Sequence, residues 1–157
     1  MGLEIERKFL VIDDAWKRLG TPVIFHQGYL SRDPERSVRV RIEGDQANLN
    51  IKGQRGTILR IEYEYPIPLE DGLFLLEEVC EQPTLSKHRT KIQLGEVCWE
   101  VDEFHGDNQG LVIAEVELES EEQEIELPDW IGKDVSHDPR YLNINLIQNP
   151  FQNWKRD

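Results

Sequence analysis

Glu4, Glu6 and Lys8 stand at alternate positions near the start of the chain, with Leu3 and Ile5 among the residues between them. In an extended strand this alternation puts two carboxylates and an amine on one face and the apolar residues on the other. The same design recurs. Arg39 and Arg41 alternate with Val38, Val40 and Ile42; Lys52 follows Leu49 and Ile51; Glu62 and Glu64 alternate with Ile61, Tyr63 and Tyr65. Lys87, Arg89 and Lys91 oppose Thr90 and Ile92. Glu100 and Asp102 oppose Trp99 and Val101, and Glu115, Glu117 and Glu119 oppose Ala114, Val116 and Leu118. Carboxylate pairs suit hard divalent cations, which take oxygen ligands. Arginine and lysine clusters suit phosphate oxygens. One surface carrying both is chemically apt for a metal–polyphosphate complex.

A half-buried sheet with solvated charges accounts for any one of these strands, because cross-strand ion pairs are common and contribute only about 0.2–1 kcal/mol. It accounts less well for the set. The charges are grouped by strand, and like charges two residues apart on one face repel unless something bound between the strands compensates.

The elements that must position these residues follow from period and punctuation. Strands are expected over 3–11, 23–30, 38–43, 47–52, 57–66, 86–94, 97–104 and 111–119, with turns at Gly44-Asp45, Gly95-Glu96 and His105-Asn108. A short helix follows Asp13-Asp14 and carries Trp16 and Leu19 up to Gly20. Over 69–81 the period changes to that of an amphipathic helix, with Leu73, Leu76 and Cys80 on one side and Gly72 weakening it. A helical turn is expected near Trp130, and Asp138-Pro139 should start a helix running through Gln148. About eight strands joined by short connections favour an antiparallel sheet. Closed, eight strands make a barrel wide enough for side chains or one small ligand; a sandwich is compatible with the same pattern. Helices covering the outward apolar faces would turn the charged faces inward, where water, ions and ligand must accompany them.

The 157 residues are enough for one domain, expected over 1–157, and no repeat or linker divides them. A net charge of −13 argues against nucleic acid or an anionic membrane as the main partner. With no secretory signal, no membrane-spanning apolar run and only two cysteines, a cytoplasmic location is expected. Cys80 and Cys98 read as buried thiols, and His26, His88, His105 and His137 lack zinc-site spacing. Gly53-Gln54-Arg55-Gly56 lacks the Gly-Lys-Ser/Thr of a P-loop and reads as a hairpin turn.

The Glu4-x-Glu6-x-Lys8 motif resembles the signature of the CYTH superfamily, the triphosphate tunnel metalloenzymes. Val38-Arg39-Val40-Arg41, Ile51-Lys52-Gly53, Glu62-Tyr63-Glu64, Lys87-His88-Arg89, Val101-Asp102 and Glu115-Val116-Glu117-Leu118 follow in the family's order, and Asp138-Pro139-Arg140-Tyr141 resembles compact bacterial members. The resemblance implies an α+β fold: a closed eight-stranded antiparallel barrel forming a tunnel, with helices packed outside. It implies that Lys8, Arg39, Arg41, Lys52, Lys87 and Arg89 bind phosphate. It assigns Glu4, Glu6, Glu62, Glu64, Asp102, Glu115 and Glu117 to Mg²⁺ or Mn²⁺, two ions being expected, directly or through water. Glu4, Glu6, Arg41 and Lys52 form the expected catalytic set; Lys91, Glu100 and Glu119 are expected at the tunnel mouth or in structural roles.

The reaction expected is metal-dependent hydrolysis of a triphosphate, inorganic triphosphate before others, by a monomer or homodimer. Adenylate cyclase, thiamine or nucleoside triphosphatase, and a non-catalytic polyphosphate-binding module stand as alternatives. A cyclase needs a pocket for adenine and ribose that no residue here marks. A binding module could dispense with the carboxylates, which are all present.

Overall fold

The computed structural model describes residues 3–55 and 58–154. Nine strands run in chain order: β1 (Leu3–Val11), β2 (Pro22–Ser31), β3 (Ser37–Glu43), β4 (Gln46–Gln54), β5 (Leu59–Ile67), β6 (Leu85–Leu94), β7 (Val97–Phe104), β8 (Val112–Leu118) and β9 (Ile131–Asp134). Two α-helices join them, α1 (Leu69–Glu78) and α2 (Asn143–Gln148). The sheet order is β5-β4-β3-β2-β6-β7-β8-β1-β9, and β5 also pairs with β1, which closes the first eight strands into an antiparallel barrel. Closure leaves these strands paired on both sides, which removes the free edges of an open sheet. β1 serves three neighbours: Leu3–Ile5 pair with β5, Ile5–Leu10 with β8, and Phe9 and Val11 with β9.

Two hairpins turn on glycine. Gly44 and Gly95 each occupy the first position of a two-residue loop with φ near +60° (61° and 63°), a conformation glycine reaches without steric cost and the twist of paired strands prefers. Arg55 follows β4 and its N–H donates to the Leu59 carbonyl at 2.9 Å; Gly56, the last residue of the expected turn there, lies outside the described residues.

Apolar residues cover the barrel in three places. Phe9, Trp99, Val101, Val116 and Leu118 point outward beneath Trp16, Trp130 and Ile131, with Trp99 edge-on to both Phe9 and Trp130. The outward Val40, Ile42 and Ala47 lie beneath Leu76 and Cys80 of the α1 region. The third cluster lies at one end of the barrel, where Tyr29, Leu85, Phe104 and Ile113 meet Tyr141, Ile144, Leu146 and Ile147. The C-terminal segment therefore covers that end.

Several local expectations change. The first helix is a 3-10 turn over Ala15–Arg18, whose Ala15 N–H is capped by Asp13, and Leu19 is exposed. α1 stops at Glu78 and buries Leu76 and Cys80 as expected, but Gly72 takes the inward place of Leu73, which is exposed with Phe74. A Cβ at Gly72 would come within 2.7 Å of the Ala47 Cβ and 2.9 Å of the Ile42 Cδ1, so the glycine is what lets the helix backbone approach the sheet. Near Trp130 the expected turn is a single one, closed by the Ile131 N–H on the Pro128 carbonyl at 3.0 Å, and the chain then extends into β9. The expected helix over 138–148 breaks at Leu142, whose ψ of 133° separates a 3-10 turn (Pro139–Tyr141) from α2. Cys98 is exposed near the start of β7. Among the described residues no helix is long and apolar enough to cross a membrane.

Gly72→Ala tests the contact under α1. Alanine favours the helix by about 1 kcal/mol, but overpacking costs about 1–3 kcal/mol. Urea unfolding should show a net loss of stability with unchanged activity, since α1 lies outside the barrel. A gain in stability would mean the contact yields freely.

Candidate active site

Strand alternation and antiparallel register carry the charged residues to a common interior. Glu4, Glu6 and Lys8 of β1, Arg39 and Arg41 of β3, Lys52 of β4 and Glu62 and Glu64 of β5 line one cavity of about 320 Å³. Lys87 and Arg89 of β6 and Glu115 and Glu117 of β8 complete it. Lys91 and Glu100 also line it, whereas Glu119 lies exposed beyond β8 with its N–H donating to Gln123.

Asp102 does not join the carboxylates that face the cavity. It is fully buried, and both its oxygens are taken: Oδ1 accepts from Arg89 Nε at 2.7 Å, and Oδ2 accepts from Lys87 Nζ at 2.7 Å and Arg89 Nη2 at 2.8 Å. Burial alone would raise its pKa, but Arg89 and Lys87 outweigh burial and hold it low. Lys87 is pushed down to about 7 by burial and by Arg89, against the pull of Asp102 and Glu115. The short Asp102 contact favours the charged ammonium, as would any anion bound beside it.

The β3 cations have little protein to neutralise them. Arg39 donates from Nε to Asn50 Oδ1 at 3.4 Å, and its Nη2 is buried without a hydrogen-bond partner; so is Nε of Arg41. Burial and the neighbouring Arg39 and Arg89 lower Arg41 to about 10, with Glu43 and Glu64 opposing. Unpaired, buried guanidinium donors beside further cations are what an incoming polyanion would satisfy.

The facing wall is acidic. Lys8 Nζ lies 2.7 Å from Glu115 Oε1 and 3.5 Å from Glu6, and Lys52 Nζ lies 3.5 Å from Glu4 and 3.7 Å from Glu62. Burial and neighbouring carboxylates raise Glu4, Glu6 and Glu117. Burial would also raise Glu62 and Glu115. A hydrogen bond from Glu4 and the charges of Lys52, Arg39 and Arg41 instead hold Glu62 low; Lys8, Arg89 and Lys87 do so for Glu115. Glu4 Oε1 is buried without a hydrogen-bond partner. Carboxylates that repel one another, with Glu4 Oε1 met only by the charge of Lys52 at 3.5 Å and by no hydrogen bond, fit a hard divalent cation. Among the described residues no three Asp, Glu, His or Cys side chains converge on one point. An ion held by fewer protein oxygens than that would keep much of its water.

Other interior residues escaped the sequence reading. Arg60 shares the face of Glu62 and Glu64, stands opposite Glu4 in the β1–β5 register, and has a buried, unpartnered Nε. Extending the β5 alternation by one step would have found it. Gln27 and Asn50 are fully buried; Gln27 belongs to β2, and Asn50 shares the β4 face of Lys52. Asn143 of α2 reaches into the cavity and accepts from Lys87 Nζ at 2.8 Å and from Gln27 Nε2 at 3.0 Å. No local pattern marks that contact. His88 points outward, edge-on to His105.

Residues 2–148 match the CYTH domain model. The chain is 50% identical over 155 residues to an inorganic triphosphatase of Acetivibrio thermocellus, with 99% of each covered. A solved inorganic triphosphatase structure superposes with a TM-score of 0.65 at 32% identity, over 92% of this chain and 93% of that one. A putative adenylate cyclase from Bacillus halodurans has the same fold, with a TM-score of 0.62 at 20% identity over 78% and 84% of the two chains.

Proposed function

The chain belongs to the CYTH family, and on that premise we propose that it hydrolyses inorganic triphosphate to pyrophosphate and phosphate with Mg²⁺ or Mn²⁺. The observation that carries this reading is the division of one cavity between unpaired arginines and facing carboxylates. Arg39, Arg41, Lys87 and Arg89 bind the bridging and terminal phosphate oxygens, and Lys8 and Lys52 reach them from the acidic side. Their preset positions stabilise the charge that develops as pyrophosphate leaves. Glu4, Glu6, Glu62 and Glu117 would hold the metal, with Glu64 beside Arg41 and Glu115 bracing Lys8. When bound, the metal neutralises phosphate charge and activates water. Water adds to a terminal phosphorus, the P–O–P bond breaks, and the proton lost by the water passes to a neighbouring cavity carboxylate or to the released phosphate. Asp102 touches Lys87 and Arg89 from behind the lining and acts as a positioning residue, while Asn143 both lines the cavity and accepts from Lys87.

Inorganic triphosphate is favoured over a nucleotide by the lining. The cavity lies near the lower bound of ligand pockets, about 300–1,000 Å³. Of its apolar members, Tyr29, Leu142 and Ile144 belong to the cluster that covers the barrel's end and Pro34 offers no aromatic face, so among the described residues no free aromatic recess is left for a base. Purified protein with inorganic triphosphate and Mg²⁺ or Mn²⁺ should release phosphate. EDTA should stop release, added metal should restore it, and ATP should be turned over more slowly. Absence of metal-dependent release from triphosphate would refute the assignment.

A further inference from the structure

Phe25 is an aromatic residue on the inward face of β2, nearly fully buried and outside the cavity lining. It stands opposite Glu43 of β3 on one side and Lys87 of β6 on the other, so it lies between the two cationic strands. Its ring centroid is 5.0 Å from Cζ of Arg41, 5.0 Å from Cζ of Arg89 and 5.9 Å from Nζ of Lys87. An aromatic face is electronegative and attracts cations, most strongly where water is excluded.

The partners of the two arginines differ. Arg89 donates to Asp102, Glu100 and Glu115. Arg41 Nε is buried without a hydrogen-bond partner, and burial, then repulsion from Arg39 and Arg89, makes its charge costly. Glu43 and Glu64 both attract it. Without the ring, the guanidinium would be free to turn onto Glu43 or Glu64, which line the same cavity, and its donors would be taken by carboxylate instead of phosphate.

We propose that Phe25 is a positioning residue whose ring holds Arg41 beside Arg89, keeping the Arg41 guanidinium free of protein carboxylates and available to the triphosphate. This rests on the triphosphatase reading above, and it adds a component that no charged motif contains. A space-filling role would require only an apolar residue of similar size; the cation-holding role requires the ring's electron density.

Two kinds of variant separate these roles. Phe25→Leu removes the ring, and site-specific fluorinated phenylalanines at position 25 keep its shape while weakening its negative face. Triphosphate binding is read as the rise in unfolding temperature on adding inorganic triphosphate in EDTA, where turnover is absent, and as KM with metal present. Phe25→Leu is expected to raise KM about tenfold with a smaller change in kcat, and to shrink the triphosphate-induced shift. Successive fluorination should weaken binding stepwise. In an Arg41→Ala background Phe25→Leu should add little, because the two act through one contact. If Phe25→Leu fails to fold, the fluorinated series decides alone. Unchanged KM and binding across that series would overturn the proposal. A parent protein that neither hydrolyses nor is stabilised by triphosphate would refute the functional reading instead.

Discussion

Glu4→Gln is expected to lower triphosphate hydrolysis by about a hundredfold or more, while leaving the metal-free protein at least as stable as the parent. The side chain keeps its shape and loses its charge and basicity. Glu4 lies beside Glu62, and its buried Oε1 lies 3.5 Å from Lys52 Nζ without a hydrogen-bond partner. Each feature suits a carboxylate that awaits a metal or its water.

The stability expectation follows from the direction of the Glu4 shift. Its carboxyl is raised above the ordinary value of 4.5, chiefly by burial and then by Glu62. The folded state therefore binds its proton more tightly than the unfolded chain, and stability is lost as pH rises from 4.5 through the folded value. Glutamine removes that loss. Above this window the variant should unfold at the same or a higher temperature than the parent without metal, and below pH 4.5 the difference should vanish. Parent-like turnover in Glu4→Gln would place the catalytic carboxylate elsewhere. Lost turnover with a collapsed fold would make Glu4 structural.

Asp102→Ala should fail in the opposite way, by losing the fold's stability together with activity. Removing the carboxylate leaves Lys87 and Arg89 buried without the partner that holds both, and breaking such a pair costs about 3–5 kcal/mol. Asp102 is held below its ordinary value by Arg89 and Lys87 in spite of burial. Its contribution is thus present above about pH 4 and lost as pH falls through the folded value. Urea unfolding curves of parent and variant should lie far apart at neutral pH and approach one another in acid.

Asp102→Ala also removes the charge that supports the Lys87 ammonium, so any residual activity should be confined to lower pH. Replacing the trio together, Lys87→Met, Arg89→Met and Asp102→Leu, separates the roles. Well-packed apolar side chains often recover the stability of a buried ionic group, but they cannot bind phosphate. A stable, inactive triple variant is expected; a stable and active one would remove Lys87 and Arg89 from the site.

Much of the interior was legible from alternation. Glu6, Lys8, Arg39, Arg41, Glu62, Glu64, Lys87, Arg89, Glu115 and Glu117 line the cavity because side chains two apart share a face whichever strands lie beside them. Arg60 was within reach of the same rule. Leu73 was misplaced by a different cause: helical period makes positions 72 and 73 near-equivalent, and the choice between them rests on the close approach of α1 to Ala47, which only a glycine allows.

Partnership was not legible. That Asp102 serves Lys87 and Arg89, that Asn143 of α2 reaches Lys87, and that Phe25 lies between Arg41 and Arg89 all depend on which strands neighbour one another and in what register. Among the described residues the closing contact is short, three residue pairs between β1 and β5, and no local signal announces it. Strand periodicity is a property of a few consecutive residues, so the chain could be read as alternating charged and apolar faces from its order alone. The division of those faces into a phosphate side and a metal side arises across the barrel, where closure sets distances between residues far apart in the chain and burial decides which charges go unpaired.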